Sequence, residues 1–452
     1  MHIIHLQNIF FNDINKSVED NEVSKVELDK IFDNIIDYSG NTIDREFLVW
    51  ISDKYSDEVL IKLEKEFSKQ YSINSFRSVI GHSYYVLQDK YNGLINEKNN
   101  IEEIVSGNEM ISFVGDVSLA DNWYIMPKYD ERNKKVYGIL SEEVVHIMNN
   151  SSVMIANNEF TISNRGEKLP NKYYTFRGSP SRLSIYDEMG VDLVTLANNH
   201  VYDFGEVAFY DTLESLNNYG LPYIGAGKNL KEASRPYYFI VNGYKIGFVN
   251  ATRAEKYILT PGASENSPGV FRCYDPSNFI NVIKEVEKES DYVVALVHWG
   301  REDSTVLEDV QLTTSKQYID AGADLIVGTH AHNLQGIDFY NDKAIVYNLG
   351  DFIFNNETKD TAIFQFKIND DGSFEYYFIP CKEKEEYTWC EVQISYAIGI
   401  EKPLAIYIKT NLGDIEIPNN LYEECKVKNI IRDLTLQHES YEERSKYGHF
   451  KN

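Results

Sequence analysis

Short apolar runs recur along the middle of the chain, each followed by a polar cluster and then by a stretch with helical spacing. The runs are Ile111–Val114, Val153–Ala156, Leu193–Leu196, Ile246–Val249, Val293–Val297, Leu325–Val327 and Ala344–Tyr347. Between them lie amphipathic stretches at Ser181–Met189, Val207–Asn218, Pro276–Glu289 and Asp309–Ala321. Apolar runs without polar alternation predict strands covered on both faces, and their alternation with helices predicts a largely buried α/β sheet. Upstream, Val23–Tyr38 and Asp57–Tyr71 have the spacing of helices, and Glu46–Ser52, with Phe47, Leu48, Val49, Trp50 and Ile51 in a row, predicts a short buried strand. The polar run Asn96–Asn100 predicts a linker. From about residue 386 the texture changes again. Glu391–Ile400 and Leu404–Thr410 predict strands and Asn419–Leu434 a helix, together a small α+β unit. Three regions follow: 1–105, an accessory α/β region of unknown role; 106–385, the α/β body; and 386–452, the C-terminal unit.

Ligand-type residues gather at the ends of the predicted strands. One run ends in Asp116, another in Asn157, Asn158 and Glu159, a third in Asn198, Asn199 and His200. A fourth ends in His298 and a fifth in His330 and His332. In an open α/β sheet the carboxyl ends of the strands form the functional rim. Five strands therefore deliver Asp116, Glu159, Asn199, His298, His330 and His332 to one place. Carboxylate, carboxamide and imidazole suit borderline divalent ions such as Mn²⁺, Fe²⁺ or Zn²⁺. Any one of these residues has an ordinary structural reading, Asp116 as a turn or cap and His298 as a core histidine. Packing needs alone do not put one such residue on each of five strand ends.

Charge narrows the partners. The 452 residues carry 44 basic and 70 acidic side chains, a net charge of −26. That excess opposes nonspecific nucleic-acid binding and anionic membranes. It leaves room for a small anionic substrate, because a metal ion reverses the local sign. Four cysteines without C-x-x-C spacing exclude a disulfide scaffold and a zinc ribbon. No run of about 18 apolar residues predicts a transmembrane helix, and Met1–Phe11 lacks the features of a secretory signal. The expectation is a cytoplasmic protein with no membrane anchor.

The residues at these strand ends resemble the CapA family, proteins associated with poly-γ-glutamate capsule synthesis. The matching pieces run in family order over about 110–380: Val114-Gly-Asp-Val-Ser-Leu119, Ala156-Asn-Asn-Glu159, Phe176-Arg-Gly-Ser-Pro180, Leu196 to Gly205, Gly225-Ala-Gly227, Val297 to Glu302, Gly322 to Gln335 and Tyr347 to Phe354. The resemblance implies a metallophosphoesterase-like fold, a two-sheet sandwich flanked by helices with the metal site at one rim. It implies that Glu159 bridges, that Asn199, His298 and His330 complete one metal site, and that Asp116 and His332 serve the other. His200 takes the place of a general acid or oxyanion stabiliser, and Asp203 orients it. Asn157, Arg177, Arg253 and Glu302, with Arg301 beside it, lie in or near the same motifs and are candidate substrate contacts. Two departures qualify the likeness. Val117 and Ser118 follow Asp116 where the phosphoesterases have Asp-x-His, so one site lacks an imidazole and one or two ions remain open. The membrane anchor common among capsule-associated members is also not seen.

The tail resembles the C-terminal end of S-adenosylmethionine synthetases through Cys390 to Gly399, Glu401 to Ile408, Tyr441 and Lys446-Tyr-Gly-His-Phe450. The synthetase's Gly-His-Pro-Asp-Lys loop and glycine-rich phosphate loop are not found, so the chain is not expected to make S-adenosylmethionine. The tail is expected to dock a synthetase-like partner or to mediate self-association. Two functions follow. One is a metal-dependent hydrolase or transferase using a metal-activated water on a phosphoester or a glutamyl amide. The other is a metal-binding scaffold that docks partner enzymes through its terminal segments.

Overall fold

A computed structural model describes residues 43–417, apart from 70–73, 105–108, 122, 256–258, 356, 385–386, 391–393, 399–402 and 411–412. The expected helices Val23–Tyr38 and Asn419–Leu434 lie outside the described residues, as do Tyr441 and Lys446–Phe450. The chain divides into two compact units, 1–103 with 238–245, and 104–237 with 246–452.

Among the described residues of the first unit, the helices Arg45–Tyr55, Asp57–Lys69, Asn74–Ile80 and Tyr84–Tyr91 enclose a core of Phe47, Leu48, Ile51, Leu60, Leu63, Phe67 and Phe76. The strand expected over Glu46–Ser52 is therefore a helix. Phe47, Leu48 and Ile51 are buried, whereas Val49 between them is 38% exposed, which is helical and not two-sided spacing. Asp44 caps that helix by accepting from Glu46 N at 2.9 Å. Five apolar residues in a row fit either element, and the cap is what decided. Ile101–Glu103 pairs in parallel with Tyr238–Ile240.

Among the described residues the second unit is built on two large sheets, with two small two-stranded ones beside them. In the first, Met110–Val117 has Val153–Asn158, Leu193–Thr195 and Tyr223–Ile224 in parallel on one side. On its other side Lys359–Ile368, Phe374–Lys384, Ile394–Ile398, Pro403–Thr410 and Gly413–Ile417 follow antiparallel. The tail strands thus prolong the same sheet. In the second sheet Tyr244–Thr252, Tyr292–His298, Leu325–Thr329 and Lys343–Val346 run parallel, with Ile337–Tyr340 antiparallel at the edge. The helices Leu183–Met189, Gly205–Tyr219, Ser277–Glu287 and Asp309–Asp320 occupy the expected amphipathic stretches.

The sheets face each other through apolar contacts such as Phe113 on Phe248, with ring centroids 6.5 Å apart. At the rim the contact becomes polar: His330 N donates to Asp116 Oδ2 at 3.0 Å, and Ala197 N to Asn250 Oδ1 at 2.8 Å. This is the expected two-sheet α/β sandwich flanked by helices.

Candidate metal centre

The ligand-type side chains converge because the strand ends of both sheets lie at one rim. Asp116 sits one residue from the end of Met110–Val117, and Glu159 directly follows Val153–Asn158. His298 closes Tyr292–His298, while His330 and His332 follow Leu325–Thr329. Asp351 opens the short strand Asp351–Ile353 and stands in register with Asp116. Gly115 allows that approach: a Cβ there would come within 1.8 Å of Gly350 O. His330 and His332 have φ of 96° and 55°, a region that costs a non-glycine residue roughly 1–3 kcal/mol and that clusters at functional sites.

Two groups of donors result. Glu159, His298 and His330 form one, Asp116, His332 and Asp351 the other, with the ligand atoms of each group within 4.8 Å of one another. Two donors on one ion at roughly 2.1 Å each stand at most about 4.2 Å apart, so small shifts suffice. Glu159 Oε1 and His330 Nδ1 are buried with no hydrogen-bond partner. Buried lone pairs without a proton to accept are costly alone and are satisfied by a cation, so the residues present fit a divalent ion. His298 Nε2 and Asn199 Oδ1 lie 2.8 Å apart, and Thr329 Oγ1 holds His298 Nδ1 at 2.8 Å.

Asn157 ties the centre together. Its Nδ2 donates to Asp116 Oδ1 at 2.7 Å and Glu159 Oε2 at 2.9 Å. Its Oδ1 accepts from Thr195 Oγ1 at 2.9 Å and Asn198 Nδ2 at 3.2 Å. Burial raises the Asp116 carboxyl, and burial together with the Asp116 charge raises that of Glu159 well above its ordinary value. Burial lowers both His298 and His330 well below theirs, with neighbouring imidazoles adding to the effect. His332 goes the other way. Burial pulls it down, but Asp351, 2.6 Å from its Nδ1, and then Asp116 and Glu302 outweigh burial and hold it at about 9.

His200 Nδ1 lies 2.8 Å from Asp203 Oδ2, and its Nε2 stands 4.0 Å from Glu159 Oε1. Burial lowers its pKa against the opposing pull of Asp203. Asp203 also accepts from Phe176 N at 2.7 Å and pairs with Lys172 Nζ at 2.9 Å. Lys172 is itself buried and reaches Glu255 at 3.3 Å and the Asn199 carbonyl. Phe176 packs on His200 with centroids 4.5 Å apart, Phe354 on His332 at 5.1 Å, and Trp123 on Phe176 at 4.7 Å, an aromatic wall over one side.

The expected substrate contacts are more scattered. Arg253 is adjacent, its backbone N donating to His298 O at 2.8 Å. Glu302 is exposed, close enough for its charge to act on Glu159 and His332. Arg177 donates to the carbonyls of Arg165 and Gly166 at 3.1 Å and stacks on Phe204. Asp351 escapes the strand-end pattern in the sequence because it begins a strand. Lys172 carried no signal at all, since it lies in a loop far along the chain from Glu255.

Comparison with known proteins follows this geometry. Residues 110–356 match the family model of the bacterial capsule synthesis protein PGA_cap, and residues 384–452 that of the S-adenosylmethionine synthetase C-terminal domain. The PGA biosynthesis protein CapA of Bacillus subtilis (strain 168) is 32% identical over 58% of this chain and 68% of its own length. The capsule biosynthesis protein CapA of Bacillus anthracis is 34% identical over 41% of this chain and 46% of its own length. A probable polyglutamine synthesis accessory protein of Mycobacterium tuberculosis (strain CDC 1551 / Oshkosh) is 27% identical over 47% of this chain and 58% of its own. The chain thus spans between about half and two thirds of these relatives' lengths. Among solved structures, Haemophilus influenzae NAD nucleotidase aligns over 74% of this chain and 68% of its own, at 13% identity and a TM-score of 0.32.

Proposed function

The chain belongs to the bacterial capsule synthesis protein PGA_cap family, and on that premise we propose that it is a metal-dependent hydrolase or transferase acting on a phosphoester or a glutamyl amide. One observation carries the reading. Two groups of N and O donors share one buried rim, and Glu159 Oε1 and His330 Nδ1 within it lack a hydrogen-bond partner among the described residues. Glu159, Asn199, His298 and His330 would hold one ion, with Asp116, His332 and Asp351 offering a second place. Mn, Fe and Zn all suit this set. A bound divalent ion supplies positive charge that polarises a phosphoryl or acyl oxygen and lowers the pKa of water.

The protein's own groups do the rest. Asn157 holds the Asp116 and Glu159 carboxylates in fixed orientation. Asp203 fixes His200 through Nδ1, so that Nε2 faces the centre and exchanges a proton with the leaving group or steadies developing charge. Lys172 balances the Asp203 carboxylate. Phe176, Phe354 and Trp123 exclude water from one side. The cytoplasmic setting is part of the same proposal.

A second reading has its own support. The Mycobacterium tuberculosis relative is named an accessory protein, and the tail matches a synthetase domain. On this reading the chain organises synthesis enzymes, docking a synthetase-like partner or a second copy through 386–452. No described helix is long and apolar enough to cross a membrane.

Elemental analysis by plasma mass spectrometry tests the first reading. Wild-type protein should carry one or two equivalents of Mn, Fe or Zn, and a His298→Ala/His330→Ala variant should lose them. Wild-type protein that stays metal-free after incubation with Mn²⁺ and Zn²⁺ would sink the catalytic reading and favour the scaffold.

A further inference from the structure

Arginines in this chain mostly meet acids or carbonyls. Arg165 pairs with Asp211, and Arg182 forks onto Asp130 and reaches Asp121. Arg77 binds Asn242, and Arg132 the Gly138 carbonyl. Some guanidinium groups, that of Arg177 among them, have no carboxylate within ion-pair distance among the described residues. Two such groups lie beside the metal centre. Arg253 directly follows the Tyr244–Thr252 strand, and its backbone is bonded to His298. Among the described residues its guanidinium has no acid within ion-pair distance. It stacks over the Tyr274 ring, 4.8 Å from the centroid, and its Nε lacks a hydrogen-bond partner.

Arg272 bridges to Thr252 on the other side of the same strand end, where Cys273 N also donates to Thr252 O at 2.9 Å. It donates to the Thr260 carbonyl, and its Nε has no hydrogen-bond partner among the described residues. Both charges act on the Tyr274 hydroxyl, so the three side chains lie in one neighbourhood. All three are half-buried. The nearby acid, Glu255, acts on Arg272 through its charge but is ion-paired with Lys172, at 3.3 Å. A partly desolvated guanidinium without a counter-ion is costly unless an anion visits it, and its planar fork fits the two oxygens of a carboxylate or phosphoryl group.

We propose that Arg253 and Arg272, with Tyr274 between them, form an oxyanion subsite that holds a second anionic group of the substrate while the first lies at the metal centre. The substrate class is then a molecule with at least two oxyanions, either phosphoryl groups or the serial carboxylates of a glutamyl chain. This rests on the hydrolase or transferase reading of the adjoining centre, and it makes the strand end after Thr252 the specificity edge of that centre.

Isothermal titration of the full chain with inorganic phosphate and with γ-linked triglutamate tests the subsite. Each titration is run on metal-loaded and on chelator-dialysed protein. Arg253→Gln/Arg272→Gln should weaken the bound probe at least tenfold in both preparations, while its metal content stays at the wild-type level. Arg253→Lys/Arg272→Lys, which keeps charge and loses the fork, should fall between the two and guards against a folding artefact. Binding of phosphate alone or of triglutamate alone supports the subsite and identifies the source of the oxyanion. Equal affinity in wild type and the Gln variant, or binding of neither probe, overturns it. Metal uptake in the same samples reports separately on the catalytic reading.

Discussion

Replacing Asn157 by leucine asks whether one neutral amide holds the metal centre in shape. The substitution keeps the branched shape of the side chain, adds bulk and removes every polar atom of it. Asp116 Oδ1 and Glu159 Oε2 would lose donors at 2.7 and 2.9 Å, and Thr195 and Asn198 would lose their shared acceptor. A hydrogen bond to a charged group is worth roughly 1.5–3 kcal/mol, and a buried polar atom left unsatisfied costs about 1–3 kcal/mol. The sum overlaps, because relaxation lets Asp116 and Glu159 share a proton. The expected loss is therefore about 3–5 kcal/mol in urea unfolding of chelator-treated protein. A divalent ion should restore part of it, since the cation replaces the amide as counterpart to both carboxylates. Urea melts of wild type and Asn157→Leu, with and without saturating Mn²⁺, measure both quantities. A loss below about 1 kcal/mol without metal would refute the reasoning, as would an equal loss with metal present.

Two further outcomes follow from other residues. Asp351→Asn should lower metal content towards one equivalent and release His332, whose pKa of about 9 depends first on that carboxylate, towards its ordinary value; imidazole titration by NMR reads the second effect. Glu64, in the first unit, is buried with neither oxygen hydrogen-bonded among the described residues, and burial raises its carboxyl to about 7. The folded state therefore holds the proton more tightly than the unfolded chain. That stability is fully present below the ordinary value near 4.5 and is lost as pH rises through 7, at most roughly 3 kcal/mol. Glu64→Gln should flatten this dependence in thermal melts between pH 5 and 8, and an unchanged slope would show that Glu64 does not titrate there.

How much could be read beforehand differs by region. In the α/β body the strands and helices were legible because buried parallel strands give unbroken apolar runs and their connecting helices give 3.6-residue spacing. The strands Lys359–Ile368 and Phe374–Lys384 were not, since each mixes charged and apolar residues along an antiparallel pair. Glu46–Ser52 misled for a different reason: a run of five apolar residues has no period of its own, and only Asp44 and the exposure of Val49 distinguish helix from strand.

The sequence by itself determined which kinds of atom could gather, since carboxylate, amide and imidazole stand at successive strand ends whatever the angle between the sheets. It also determined the family, through motifs that depend on local backbone shape. Only the tertiary structure decided the grouping. It put Asp351 beside Asp116 through a parallel pairing that Gly115 permits, and it brought Lys172 to Asp203 and Glu255. It drew Arg177 onto backbone carbonyls and left Arg253 and Arg272 without an ion-paired acid among the described residues. Those outcomes depend on distances between residues remote in the chain, and hydrophobic patterning constrains which face of an element is buried and not which polar side chain it will meet there.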